Sequence, residues 1–86
     1  MVEKRQINRA PIRTDVEVTS DALGLVKAHT LELSDVGAFI ESQTLQQLTN
    51  GTVVSIQAIG FPEPMPIIQA EIIRVTRNGV GVRFLL

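Results

Sequence analysis

A small all-β fold, a six-stranded antiparallel barrel, is predicted by three features of the 86-residue chain. Apolar and polar residues alternate with a period of two in several segments, and no segment sustains a helical stripe. Turn signals recur at short spacing, leaving no room for helical crossovers. Aromatic residues make up only 3% of the chain, three Phe with no Tyr or Trp. A core must therefore be built from Val, Ile and Leu, the residues that suit strands. Closing the sheet also removes edges that would otherwise invite aggregation.

Residues 1–9 carry no strand pattern and read as a flexible basic leader ahead of a single barrel domain spanning 10–86. Ala10 to Thr19 is the first strand, with Ile12, Val16 and Val18 apolar and Arg13, Asp15 and Glu17 polar between them. Ser20-Asp21-Ala22 turns the chain, and Gly24 relaxes the backbone. Leu25 to Leu33 alternates again, with Leu25, Lys27, His29, Leu31 and Leu33 on one parity, so the two strands form a hairpin. Ser34 to Gly37 is a turn into the short strand Ala38-Phe39-Ile40, and Thr44 to Leu48 reads as a helical turn or an irregular edge. Asn50-Gly51 is a turn, because both residues tolerate positive φ, and Thr52 to Ile59 is the fourth strand. Pro62, Pro64 and Pro66 remove three ladder donors, so Gly60 to Pro66 is a loop of extended geometry. Ile67 to Thr76 and Val80 to Leu86 are strands joined through Asn78-Gly79. No C-terminal helix is evident before the chain stops at Leu86.

Composition narrows the function. Without cysteine there are neither disulfides nor thiolate metal sites. There is no apolar run long enough to cross a bilayer and no hydrophobic signal stretch, so a cytoplasmic protein is expected. The net charge of −1 conceals an asymmetry: residues 1–13 hold Lys4, Arg5, Arg9 and Arg13 against Glu3, whereas the remainder holds four basic and eight acidic side chains. A nucleic-acid surface spreads positive charge over a face, and single-strand binders add aromatic platforms. A basic leader on an acidic body suits one compact anion instead.

Catalysis is not expected. His29 is the sole histidine, mid-strand and without a paired base or nucleophile. Glu63 and Glu71 lack partner motifs, and Glu32 with Asp35 is too small a set for a metal. No Gly-rich phosphate loop opens a helix, so neither metal nor cofactor is expected. Binding is better supported. Arg5 and Arg9 are four residues apart, and a guanidinium donates paired hydrogen bonds to phosphate or to guanine O6 and N7 and stacks on purines. Ser34 adds a compact donor and acceptor, and Gly37 permits a sharp turn or a close approach.

The run Arg5-Gln6-Ile7-Asn8-Arg9, followed by Glu32-Leu33-Ser34-Asp35-Val36-Gly37, resembles the PilZ domain, the bacterial receptor module for the second messenger cyclic di-GMP. The family pattern is Arg-x-x-x-Arg on an N-terminal switch loop, then Asp/Asn-x-Ser-x-x-Gly after the second strand. The ending Asn78-Gly79-Val80-Gly81-Val82-Arg83-Phe84 is similar to the family's last hairpin, and the Pro-rich loop before Ile67 fits, so the resemblance covers nearly the whole chain. It implies that Arg5 and Arg9 clamp guanine and phosphate groups, that Ser34 hydrogen-bonds a guanine, and that Gly37 shapes the turn. Lys4 stands where relatives often carry another arginine and offers phosphate a point charge without a planar stacking face, which favours fewer ligands per domain. Glu32 stands in the Asp/Asn place and departs from the pattern by one methylene. The longer side chain either weakens the ligand contact or reaches Arg5 or Arg9 and holds the leader closed.

The resemblance implies a cyclic di-GMP receptor that orders its leader against a downstream protein or a covalently linked output domain. The alternative is a PilZ-like adaptor that binds a protein and little or no nucleotide. Glu32 and the Phe61-Pro62-Glu63-Pro64-Met65 loop favour that alternative.

Overall fold

The computed structural model of the chain describes residues 11–86. The leader, with Lys4, Arg5 and Arg9, lies outside the described residues. Six strands, β1 (Asp15–Ser20), β2 (Gly24–Leu33), β3 (Gly37–Glu41), β4 (Val53–Ala58), β5 (Ile67–Val75) and β6 (Gly79–Phe84), form a closed antiparallel barrel in the order β1-β2-β3-β6-β5-β4. The expected fold class holds. Among the described residues a single 3₁₀ turn, Leu45–Gln47, interrupts the strands, and it buries Leu45 under one end of the barrel while Leu48 is buried just after it.

The inward residues are aliphatic, as the composition requires: Val16 and Val18 from β1, Ile40 from β3, Val54 from β4, Ile72 from β5, Val80 and Val82 from β6. No Phe is among the fully buried residues; Phe84 only packs against the core and Phe61 is exposed. The first strand is shorter than its alternation predicts. Residues 11–14 run outside the β1 ladder, and Ile12 is exposed. Buried Thr30 holds this segment in place: its Oγ1 donates to the Ile12 carbonyl at 2.7 Å and accepts from Thr14 N at 2.9 Å. The two bonds offset the cost of taking the hydroxyl out of water.

Two β-bulges break the period of two. The β2–β3 register slips between Thr30 and Glu32, and the β5–β6 register slips between Ile72 and Arg74. Leu31 and Ile73 are the extra residues. A strict alternation would send Glu32 inward with Thr30, and Arg74 inward with Ile72. Each bulge instead turns the following charged side chain onto the outer wall. For the same reason the five residues expected on one parity of β2 do not share a face. Leu25 and Lys27 are exposed outside, whereas Leu33 pairs with inward Ala38.

Candidate functional site

Cross-strand pairing assembles the site on the outer wall where β2, β3, β6 and β5 lie side by side. One row runs Glu32–Phe39–Gly81–Arg74. The next outward row runs Gly37–Arg83–Glu71. The turn from Ser34 to Gly37 closes one end. All of these except Glu71 line an open cleft of about 360 Å³, within the range of small-ligand sites, roughly 300–1,000 Å³.

The Ser34 turn is held by its own hydrogen bonds. Ser34 N donates to the Gly37 carbonyl at 2.9 Å. Ser34 Oγ accepts from Val36 N and Gly37 N, each at 3.2 Å, and donates to the Gly37 carbonyl at 3.2 Å. The turn from Thr76 to Gly79 repeats this arrangement: Thr76 N donates to the Gly79 carbonyl at 2.9 Å, and Thr76 Oγ1 accepts from Asn78 N at 3.2 Å. A hydroxyl residue followed three positions later by Gly is thus a turn the barrel uses twice.

Gly37 has a structural cause of its own. A Cβ there would sit 2.2 Å from the Val82 carbonyl oxygen, and one at Gly79 would sit 2.0 Å from that of Ile40. Positive φ is confined to Gly24, Gly51 and Gly60 among the described residues. The two ends of the β3–β6 ladder therefore need glycine for close backbone approach rather than for a left-handed turn. Asn78-Gly79 is a turn, as expected, but not through positive φ.

Charge on the wall is mixed. Arg83 pairs with Glu71, both on the outer surface. Arg74 extends over Gly81 with its guanidinium carbon 5.7 Å from the centre of the Phe39 ring, a cation–π contact. His29 pairs across strands with Glu41, away from this cleft.

The structure thus brings together three of the expected site residues, Glu32, Ser34 and Gly37. Arg5, Arg9 and Lys4 lie outside the described residues. Phe39, Arg74, Gly81 and Arg83 were missed by sequence reasoning. Gly81 and Arg83 carried a signal, alternating with Val80 and Val82 along β6, whereas the bulge concealed Arg74.

The outer wall of the closed barrel thus carries an open cleft lined by side chains of both charge signs. The chain belongs to the PilZ domain family, whose profile matches residues 3–86, and PilZ domains are receptor modules of the cyclic di-GMP class. The resemblance seen in the motifs is borne out. Among solved structures, the crystal structure of the PilZ domain of CeSA from a cellulose-synthesizing bacterium is similar, with a TM-score of 0.77 and 26% sequence identity over 92% of this chain and 81% of that one. No curated protein matches the sequence. Among the described residues no helix is long and apolar enough to cross a membrane.

Proposed function

We propose that this domain binds cyclic di-GMP in the outer-wall cleft and relays binding by ordering residues 1–9 over the ligand, against a downstream protein or a linked output domain. The observation that carries the reading is the convergence of Glu32, Ser34 and Gly37 on one cleft in a member of this family. Chain geometry supports the part given to the leader. Thr30 fastens the Ile12 carbonyl two residues from Glu32. Arg9 precedes this anchor by three residues, a span of at most about 11 Å of chain. A guanidinium brought to the cleft donates paired hydrogen bonds to phosphate or to a guanine edge. Ligand shifts the leader only through its different affinity for the open and closed arrangements.

The test is isothermal titration with cyclic di-GMP, wild type beside Arg9→Ala. Saturable binding that is lost in the variant is expected. Absence of heat and of thermal stabilisation at high ligand overturns the reading. The adaptor reading would then stand, favoured by Phe61, half exposed at 50%, on the proline-rich loop.

A further inference from the structure

The described wall of the cleft carries cations of its own, Arg74 and Arg83. On the row Glu32–Phe39–Gly81–Arg74 the side chains of Phe39 and Arg74 face outward on either side of a residue that has none. Gly81 faces out and yet is buried, and a Cβ built on it would lie 3.5 Å from both Cβ and Nε of Arg74. Arg74 therefore lies across Gly81, in the channel the missing side chain leaves open, with its guanidinium directed over Phe39. Arg74 remains exposed, so the ring does not bury it. Among the described residues, the cleft's other cation, Arg83, is already held by Glu71, and Arg74 has no carboxylate partner.

From this arrangement we infer that Arg74, backed by Phe39, is a strand-borne binding residue for a guanine base of the ligand. This inference rests on the cyclic di-GMP reading and deepens it. A guanidinium drawn to an aromatic ring by cation–π attraction keeps a planar surface and an N–H edge to offer to the cleft. A purine stacks on that surface, and the N–H groups along its edge donate to O6 and N7 or to a phosphodiester oxygen. The platform is assembled by ladder register and a bulge, so it stands ready before the ligand arrives. Little side-chain entropy is then lost on binding, which is the benefit of preorganisation.

The experiment is calorimetric titration of the full chain with cyclic di-GMP for wild type, Arg74→Ala, Arg74→Lys and Gly81→Val, with thermal melting of each free protein. Removing a stacking partner weakens binding about 5- to 150-fold, so Arg74→Ala is expected to fall in that range. Arg74→Lys keeps the charge but not the plane and is expected to lose nearly as much. Gly81→Val fills the channel and is expected to displace Arg74 with a similar loss. Free Arg74→Ala is expected to melt as wild type does, because the side chain is exposed.

Unchanged affinity in Arg74→Ala overturns the inference and leaves the receptor reading standing. Full affinity in Arg74→Lys overturns the stacking role, since charge alone then suffices. A wild type that binds no cyclic di-GMP overturns both readings together.

Discussion

Replacing Gly37 by alanine separates the two tasks that a glycine in a ligand motif can have. A Cβ at position 37 would lie 2.2 Å from the Val82 carbonyl oxygen, where contacts under 3.0 Å are essentially never seen. To accept it, β3 and β6 must part by at least the difference, 0.8 Å, because the obstacle is backbone and not a side chain that can swing aside. The Phe84 N–H to Val36 carbonyl bond, 2.8 Å long, spans this gap, and the Ser34 N–H to Gly37 carbonyl bond, 2.9 Å, is made by the peptide on the other side of the Gly37 Cα. Stretched by that amount, both leave the range of useful hydrogen bonds, about 2.7–3.2 Å. Losing two bonds with their partners left poorly satisfied costs about 2–4 kcal/mol. For a domain of this size each kcal/mol lowers the melting temperature by roughly 4–8 °C, so Gly37→Ala is expected to melt at least about 8 °C below wild type without ligand. The assay is thermal unfolding followed by circular dichroism. Gly81→Ala is the control, since the nearest atoms to its new methyl belong to the Arg74 side chain, at an ordinary 3.5 Å. If free Gly37→Ala melts with the wild type yet fails to bind, the reasoning is refuted and Gly37 serves the ligand directly.

Two further perturbations probe the neighbouring positions. Glu32→Asp is expected to raise affinity for cyclic di-GMP, because it restores the family's side-chain length at an exposed position on the cleft wall; titration giving equal dissociation constants removes Glu32 from the ligand contact. Ser34→Ala deletes the hydroxyl that three backbone groups share, at a cost of about 1–2 kcal/mol, whereas Ser34→Thr keeps it and matches the Thr76 turn. Melting of the free proteins is expected to rank Ala well below Thr, with Thr close to wild type, and equal melting of the two variants contradicts the turn's dependence on Ser34 Oγ.

The strands and turns were legible because they depend on local signals. Val16 and Val18 alternate with Glu17 and Thr19, Asn50-Gly51 turns, and Pro62, Pro64 and Pro66 prohibit a ladder. Closure followed from counting strands that had no helical crossover. The bulges at Leu31 and Ile73 were not legible. Nothing in the sequence Thr30-Leu31-Glu32 marks an inserted residue, because a bulge is defined by what the partner strand supplies opposite it. Half the candidate site depends on that register, so Glu32 was found through its motif and Arg74 was not found at all. Gly37 was found for a partly different reason from the one the structure gives: the approach it permits is to the Val82 carbonyl, and that neighbour lies 45 positions along the chain.

The paired turns change what the motif says about ligand binding. Thr76 and Gly79 repeat the hydroxyl-x-x-Gly arrangement of Ser34 and Gly37 at the β5–β6 connection, where no ligand role is assigned. Folding alone therefore accounts for Ser34 and Gly37, and a barrel that bound no nucleotide would still need both. Ser34 Oγ already accepts two N–H groups and donates to a carbonyl, so a guanine must share that hydroxyl rather than find it idle. The residues that discriminate a receptor from a bare scaffold are those to which the fold gives no task of its own. On the described wall these are Glu32, exposed and turned outward by a bulge, and Arg74, exposed on Phe39. Substitution at these two positions, with Arg9 in the leader, is therefore the informative comparison: their loss is expected to change affinity and leave the free barrel's melting alone, the reverse of the pattern expected at Gly37.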